Sequence, residues 1–132
     1  MASLSRIKSD LSELHEQHEK ISSIIDSLLN DSVEGAPIEN LTGQLKELVN
    51  LLHVHFSTEN TLMAQSDFPN MTVHMQEHKR IFEEINSQYQ QIKRGEKVLS
   101  PILADHFRYL EDVHIASVDK ELVEFFREKL CL

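Results

Sequence analysis

Residues 48–78, LVNLLHVHFSTENTLMAQSDFPNMTVHMQEH, decide how this chain is read. Apolar side chains recur there at three- and four-residue steps, through Leu48, Leu52 and Leu62, which is the spacing of one helix face. His55 and Glu59 fill the steps in between, where that face calls for core residues. Past Pro69 the rhythm resumes as Met71, His74 and His78, so two more imidazoles stand on the seam of a second helix. Burying an unpaired polar group costs roughly 2–7 kcal/mol, and an unpaired carboxylate more. Polar groups at core positions of this density therefore need a common partner.

Outward from this stretch the pattern repeats. Upstream, Ile38, Leu41 and Leu45 extend the same seam, and an earlier segment runs Leu4, Ile7, Leu11, Leu14, His18, Ile21, Ile25, Leu28. Downstream, Ile81 and Ile85 continue the third segment, with Tyr89 and Ile92 following less strictly. A fourth carries Leu103, Phe107, Leu110, His114 and Ser117, with Val118, Asp119, Leu122 and Phe126 beyond. Seven ligand-type side chains thus lie on four seams: His18, His55, Glu59, His74, His78, His114 and Asp119. Seven unpaired groups would exceed the whole ~5–15 kcal/mol stability of a small domain. A bound cation removes the conflict, because it neutralises carboxylates and takes up imidazole lone pairs.

Three breaks separate the segments. Residues 30–37 include Gly35 and end in Pro37, residues 66–70 surround Pro69, and residues 94–100 hold Gly95 ahead of a Ser100-Pro101 helix start. Loops this short predict antiparallel neighbours. The expected fold is all-α, an antiparallel up-down-up-down four-helix bundle, formed by residues 1–132 as a single domain. The seam changes phase near Ser117, which predicts a kink or a separate short C-terminal helix over about 118–130. Three Gly and three Pro beside 40% hydrophobic residues leave little turn material for an all-β fold.

Antiparallel packing adds a geometric expectation. Residues at one height on facing helices have numbers with a constant sum, and the pairs His55 with His78 and Glu59 with His74 share it. Across the next interface, His78 with His114 and His74 with Asp119 agree to within one. The ligands should therefore converge into a slab about one turn thick, ~5.4 Å. That is too many for one ion and suits two metals ~3.5–4 Å apart bridged by carboxylates. Imidazole and carboxylate donors without thiolate fit iron, zinc, manganese or copper, and a carboxylate-bridged pair in a bundle favours iron or manganese.

The residues resemble a known family, the hemerythrins, and specifically the bacterial hemerythrins of the HHE cation-binding type. Glu16-Gln17-His18-Glu19-Lys20 is similar to the first-helix signature. His55-Phe56-Ser57-Thr58-Glu59, Leu62-Met63, Phe68-Pro69, His74, Glu77-His78-Lys79 and Phe82 resemble the middle signature, and His114-Ile115 with Asp119 the last. The resemblance implies a non-haem di-iron centre with an oxo or hydroxo bridge: His74, His78 and His114 on one iron, His18 and His55 on the other, Glu59 and Asp119 bridging. It also implies an open position on the two-histidine iron, where dioxygen binds reversibly for transport, storage or sensing. Sensing would require a signalling output domain covalently attached to this chain, as on a chemotaxis receptor or a diguanylate cyclase. A further alternative is a di-iron enzyme acting on peroxide or nitric oxide, although a binding protein rather than an enzyme is expected.

Departures from the family pattern bear on the site. His15 stands where the family usually has an Asp, Leu110 where it has a Trp, and the apolar stripe from Leu4 replaces an aromatic N-terminal arm. Glu111 stands where an apolar pocket residue is usual, three before His114. It either reaches the open iron as an extra ligand or proton donor, or lies on the flank of its helix facing solvent or a basic partner; Leu110 and Ile115 are candidate pocket residues beside it. His15, His53 and His106 are read as flank or surface histidines, Tyr109 as packing or surface, and Met63, Met71 and Met75 as packing. The string His74-Met75-Gln76-Glu77-His78 also matches a zinc-peptidase motif, a reading that leaves His18, His55, Glu59 and Asp119 buried without purpose.

A net charge of -9 argues against nucleic-acid or anionic-membrane partners and favours cation attraction. The lone Cys131 excludes an intramolecular disulfide and reads as an incidental tail residue. With no apolar span of membrane length, a cytoplasmic location is expected.

Overall fold

A computed structural model describes residues 4–130, and the readings of Cys131 and of the Leu4 side chain lie outside what it describes. Four long helices are present, α1 (Leu4–Glu34), α2 (Ile38–Ser66), α3 (Met71–Lys93) and α4 (Pro101–His114), followed by a π-helical turn (Ile115–Asp119) and α5 (Lys120–Leu130). No strand occurs among the described residues. α1 packs on α2 and α4, α2 on α3, and α3 meets α4, so the ring of the bundle closes.

Each helix ends for a local reason. α1 runs past the expected break at Asn30, because nothing stops it before Gly35 takes a left-handed φ of 74°. Asp67 plays that part for α2, with φ 57° and its N–H donated to the Met63 carbonyl. The Ser100 hydroxyl accepts the Leu103 N–H at 3.2 Å while Pro101 opens α4.

The expected short C-terminal helix is α5, and the change of phase near Ser117 is a π-turn rather than a break in the chain. His114 and Asp119 are five residues apart, which on an α-helix would turn the second about 140° away from the first. The wider turn at Ile115–Asp119 absorbs the additional residue, and the Lys120 N–H reaches back to the Ile115 carbonyl. Both side chains then face inward, while Ser117, read as part of the seam, is exposed. Ile38 also lies outside the core, since its position in the first turn of α2 leaves it 47% exposed.

The apolar core is divided by a polar layer. On one side the large cluster gathers Ile21, Leu45, Leu52, Ile81, Phe107 and Leu110 among others. On the other, Ile7, Leu14, Leu62, Met63, Phe68, Leu122 and Phe126 form a smaller one. Fully burying such a side chain stabilises the fold by roughly 1.5–3 kcal/mol, and these clusters hold the seams in phase. Arg108 ties α4 to α1 through the Ser22 carbonyl (2.8 Å), the Ser22 hydroxyl (3.0 Å) and Asp26.

Candidate metal centre

Between the two clusters the structure brings all seven seam residues to one level. They form two groups, Glu59, His74, His78, His114 and Asp119 on one side, and His18, His55, Glu59 and Asp119 on the other. Within each, one donor atom per residue lies within 4.8 Å of the rest. A first-row metal bound at about 2.0–2.2 Å sets its donors no more than about 4.4 Å apart, so each group is near the size of one ion's shell. Glu59 and Asp119 belong to both.

The donors approach each other without bonding to each other. His55 Nε2 is 2.6 Å from Glu59, His74 Nε2 is 2.9 Å from Glu59 and 3.0 Å from Asp119, and His114 Nε2 is 2.8 Å from Asp119. None of these atoms has a directed hydrogen bond: the Nε2 atoms of His55, His74, His78 and His114 and all four oxygens of Glu59 and Asp119 are buried without one. Lone pairs aimed past one another into a shared space are what a cation between them requires, and orphaned atoms in such number are otherwise rare in a folded protein. The residues present fit a metal pair.

Second partners orient the rings. Gln17, 7% exposed, places its Oε1 2.9 Å from His55 Nδ1, and Asn60 Oδ1 lies 2.8 Å from His78 Nδ1. A carboxamide oxygen only accepts, so both Nδ1 atoms donate and both Nε2 lone pairs face the centre. Phe56 stacks on His78 with centroids 4.2 Å apart. Sequence reading missed Gln17 and Asn60. Each sits beside a ligand in the chain, but adjacency on a helix does not show which neighbour turns inward.

Charge inside the layer is set by contest. Burial alone would raise the Glu59 carboxyl, but His55, His74 and His78 override it and hold it well below its ordinary value. Asp119 is likewise raised by burial and held far lower by His114, His18 and His74. Burial works against protonating His18, yet Asp119 and Glu111 push it up to about 10. His74 is pushed up to about 9 by Asp119 and Glu59 against the same penalty. Burial lowers His78 in spite of Glu59. In the metal-free chain, protons on His18 and His74 therefore take the part of the cation and must leave when one enters.

Glu111 does not face solvent as one of the alternatives had it. It is 2% exposed, because the steps Ala104, Phe107, Glu111, His114 put it on the inner face of α4. It belongs to neither donor group, and its Oε1 lies 3.5 Å from His18 Nδ1. Leu110 packs into the large apolar cluster, whereas Ile115 lines a cleft of about 550 Å³ between α1 and the π-turn and α5. That cleft reaches His18, Glu59 and Asp119, and Leu11, Leu122 and Val123 line its walls. His15 and His53 are exposed, Tyr109 is on the surface, and His106 bonds Glu84 at 2.6 Å. Met63 is core, but Met75 is 37% exposed rather than packed. Glu77, which a peptidase would need beside its metal, pairs with Arg80 at 2.7 Å and joins neither group.

A family model described as the hemerythrin HHE cation-binding domain matches residues 9–126. No curated protein and no solved structure matches the chain significantly.

Proposed function

We propose, since the chain belongs to the hemerythrin HHE cation-binding family, that its two donor groups hold a pair of iron ions and that the four-donor side binds dioxygen reversibly. The carrying observation is the unequal saturation of the two groups. Five protein donors fill one position almost completely, while the other has four and lies on the cleft. When bound, a pair of ferrous ions would supply the two electrons that hold dioxygen as a reduced adduct. The residues do the rest. Glu59 and Asp119, common to both groups, would fix the spacing of the pair, Gln17 and Asn60 keep the rings oriented, and Leu11, Leu122 and Val123 line the cleft beside the four-donor side.

Donors drawn only from imidazole and carboxylate favour iron or manganese over a thiolate-seeking ion. With five imidazoles and two carboxylates the set is less anionic than the Glu-rich sites of di-iron oxygenases, which favours holding dioxygen over cleaving it. Storage, transport and sensing share this binding step. Sensing would add an output domain joined to the chain. No helix among the described residues is long and apolar enough to cross a membrane.

Loading with ferrous iron under argon, followed by air, tests the reading. Near-ultraviolet and visible bands should appear with air and bleach again under argon. Bands that never form, or that form and do not bleach, would contradict reversible binding.

A further inference from the structure

Among the described residues, Glu111 is the buried carboxylate that neither donor group includes. Its Oε1 has no hydrogen bond, although an unpaired carboxylate in a dry interior is strongly disfavoured. Arg108, three residues earlier, is engaged by Ser22, Asp26 and Asp112, and Glu111 makes no ion pair with it. The charge partner within reach is the His18 ring, with Nδ1 3.5 Å from Glu111 and Nε2 3.1 Å from Asp119. Carboxylates therefore face both nitrogens of one imidazole, Asp119 at Nε2 and Glu111 at Nδ1, the latter at ion-pair distance without a directed hydrogen bond.

We propose that Glu111 is the positioning residue of the four-donor site: its carboxylate accepts the Nδ1 proton of His18, turns Nε2 to the metal position and places a negative charge behind that ring. What Nε2 holds rests on the di-metal reading above; the contact with Nδ1 does not. The comparison with the other rings gives the assignment its content. His55 and His78 are oriented by neutral carboxamides, at 2.9 Å and 2.8 Å. His18, the ligand beside the cleft and with 22% of its side chain exposed, is the one with an anionic acceptor. A carboxylate behind an imidazole raises its basicity as a ligand, and removing such a partner typically weakens metal binding about 10–100-fold. The effect should fall on one ion of the pair, the one on the open side.

The test uses the full chain as wild type, Glu111→Gln and Glu111→Leu, with helix content checked by circular dichroism. In the metal-free proteins, proton NMR of the His18 Nδ1–H should show a strongly downfield resonance in wild type. It should move upfield in Glu111→Gln, which gives His18 the kind of acceptor His55 already has, and further in Glu111→Leu. Competition titration with Co(II) and a chelator should then show the four-donor ion about 10–100-fold weaker in Glu111→Leu. Glu111→Gln should recover part of that loss, and the five-donor ion should be unchanged. An Nδ1 resonance identical in all three, wild-type affinity for both ions in Glu111→Leu, or equal weakening of both ions would overturn the proposal. If Glu111→Leu fails to fold, the Gln variant decides by the same readouts. A wild-type chain that takes up no pair of ions would sink the di-metal reading, and the resonance would still decide the contact.

Discussion

The two donor groups share Glu59 and Asp119 and differ in everything that surrounds them. The five-donor group is the more deeply buried: His74, His78 and His114 are all inside, Phe56 lies flat on His78, and Phe68 meets His74 edge-on. The four-donor group pairs a buried His55 with a His18 that borders the cleft, so one side of the group faces that cleft. One bundle thus builds a buried group and a cleft-side group around the same two shared residues, by letting α1 stand off from the π-turn and α5. Closure and access are properties of packing here, and the donors themselves are nearly alike.

The largest change should come from the residue both groups need. Glu59→Ala removes a shared donor, and metal analysis after gel filtration should find both ions gone, while retention of one would mean the groups are independent. Next come substitutions that separate the groups. His78→Ala should remove or weaken only the five-donor ion and His18→Ala only the four-donor ion, read by the stoichiometry of Co(II) uptake. Identical losses in the two variants would erase the distinction.

A smaller effect concerns pH in the metal-free chain. His18 and His74 have folded values of about 10 and about 9 against an ordinary 6.5, so their contribution is complete below 6.5 and is lost as pH rises through 9 to 10. Glu59 and Asp119 are depressed, so theirs is present above their ordinary 4.5 and 3.8 and is lost as pH falls. His78, held neutral by burial, adds to the acid loss. Urea midpoints of the metal-free chain should peak near pH 6.5 and decline on both sides. Metal loading should move the maximum upward, since the cation displaces those protons; a metal-free midpoint that climbs steadily to pH 9 would contradict this. The smallest effect should be His106→Ala, which cuts a partly exposed link to Glu84 remote from both groups and should change stability by less than about 1 kcal/mol with no change in metal uptake.

Much of this was legible in the sequence because helix seams obey a fixed period. The breaks at Pro69 and at Gly95 to Ser100 coincide with helix ends, and the equal-sum relation among His55, His78, Glu59 and His74 anticipated which residues would share a level. The period fails where the helix itself departs from it. Asp119 reaches the site only through the π-turn, so a strict α count kept Ser117 on the seam ahead of it and left open whether the change of phase was a kink or the start of a short C-terminal helix. Glu111 was ambiguous for another reason. A face wide enough to bury Leu110 and Glu111 together cannot be told from a narrower one by spacing alone. Gln17 and Asn60 were out of reach because the demand for an acceptor at a ligand's second nitrogen does not say which helix supplies it.

The central claim is that these seven side chains share a dry layer because two cations hold them. Anomalous diffraction from crystals of the iron-loaded chain tests it most directly. Two peaks about 3.5–4 Å apart, lying between Glu59 and Asp119 with His74, His78 and His114 on one and His18 and His55 on the other, are the predicted result. A single peak, or a well-ordered bundle with the seven side chains in place and no metal bound, would contradict it.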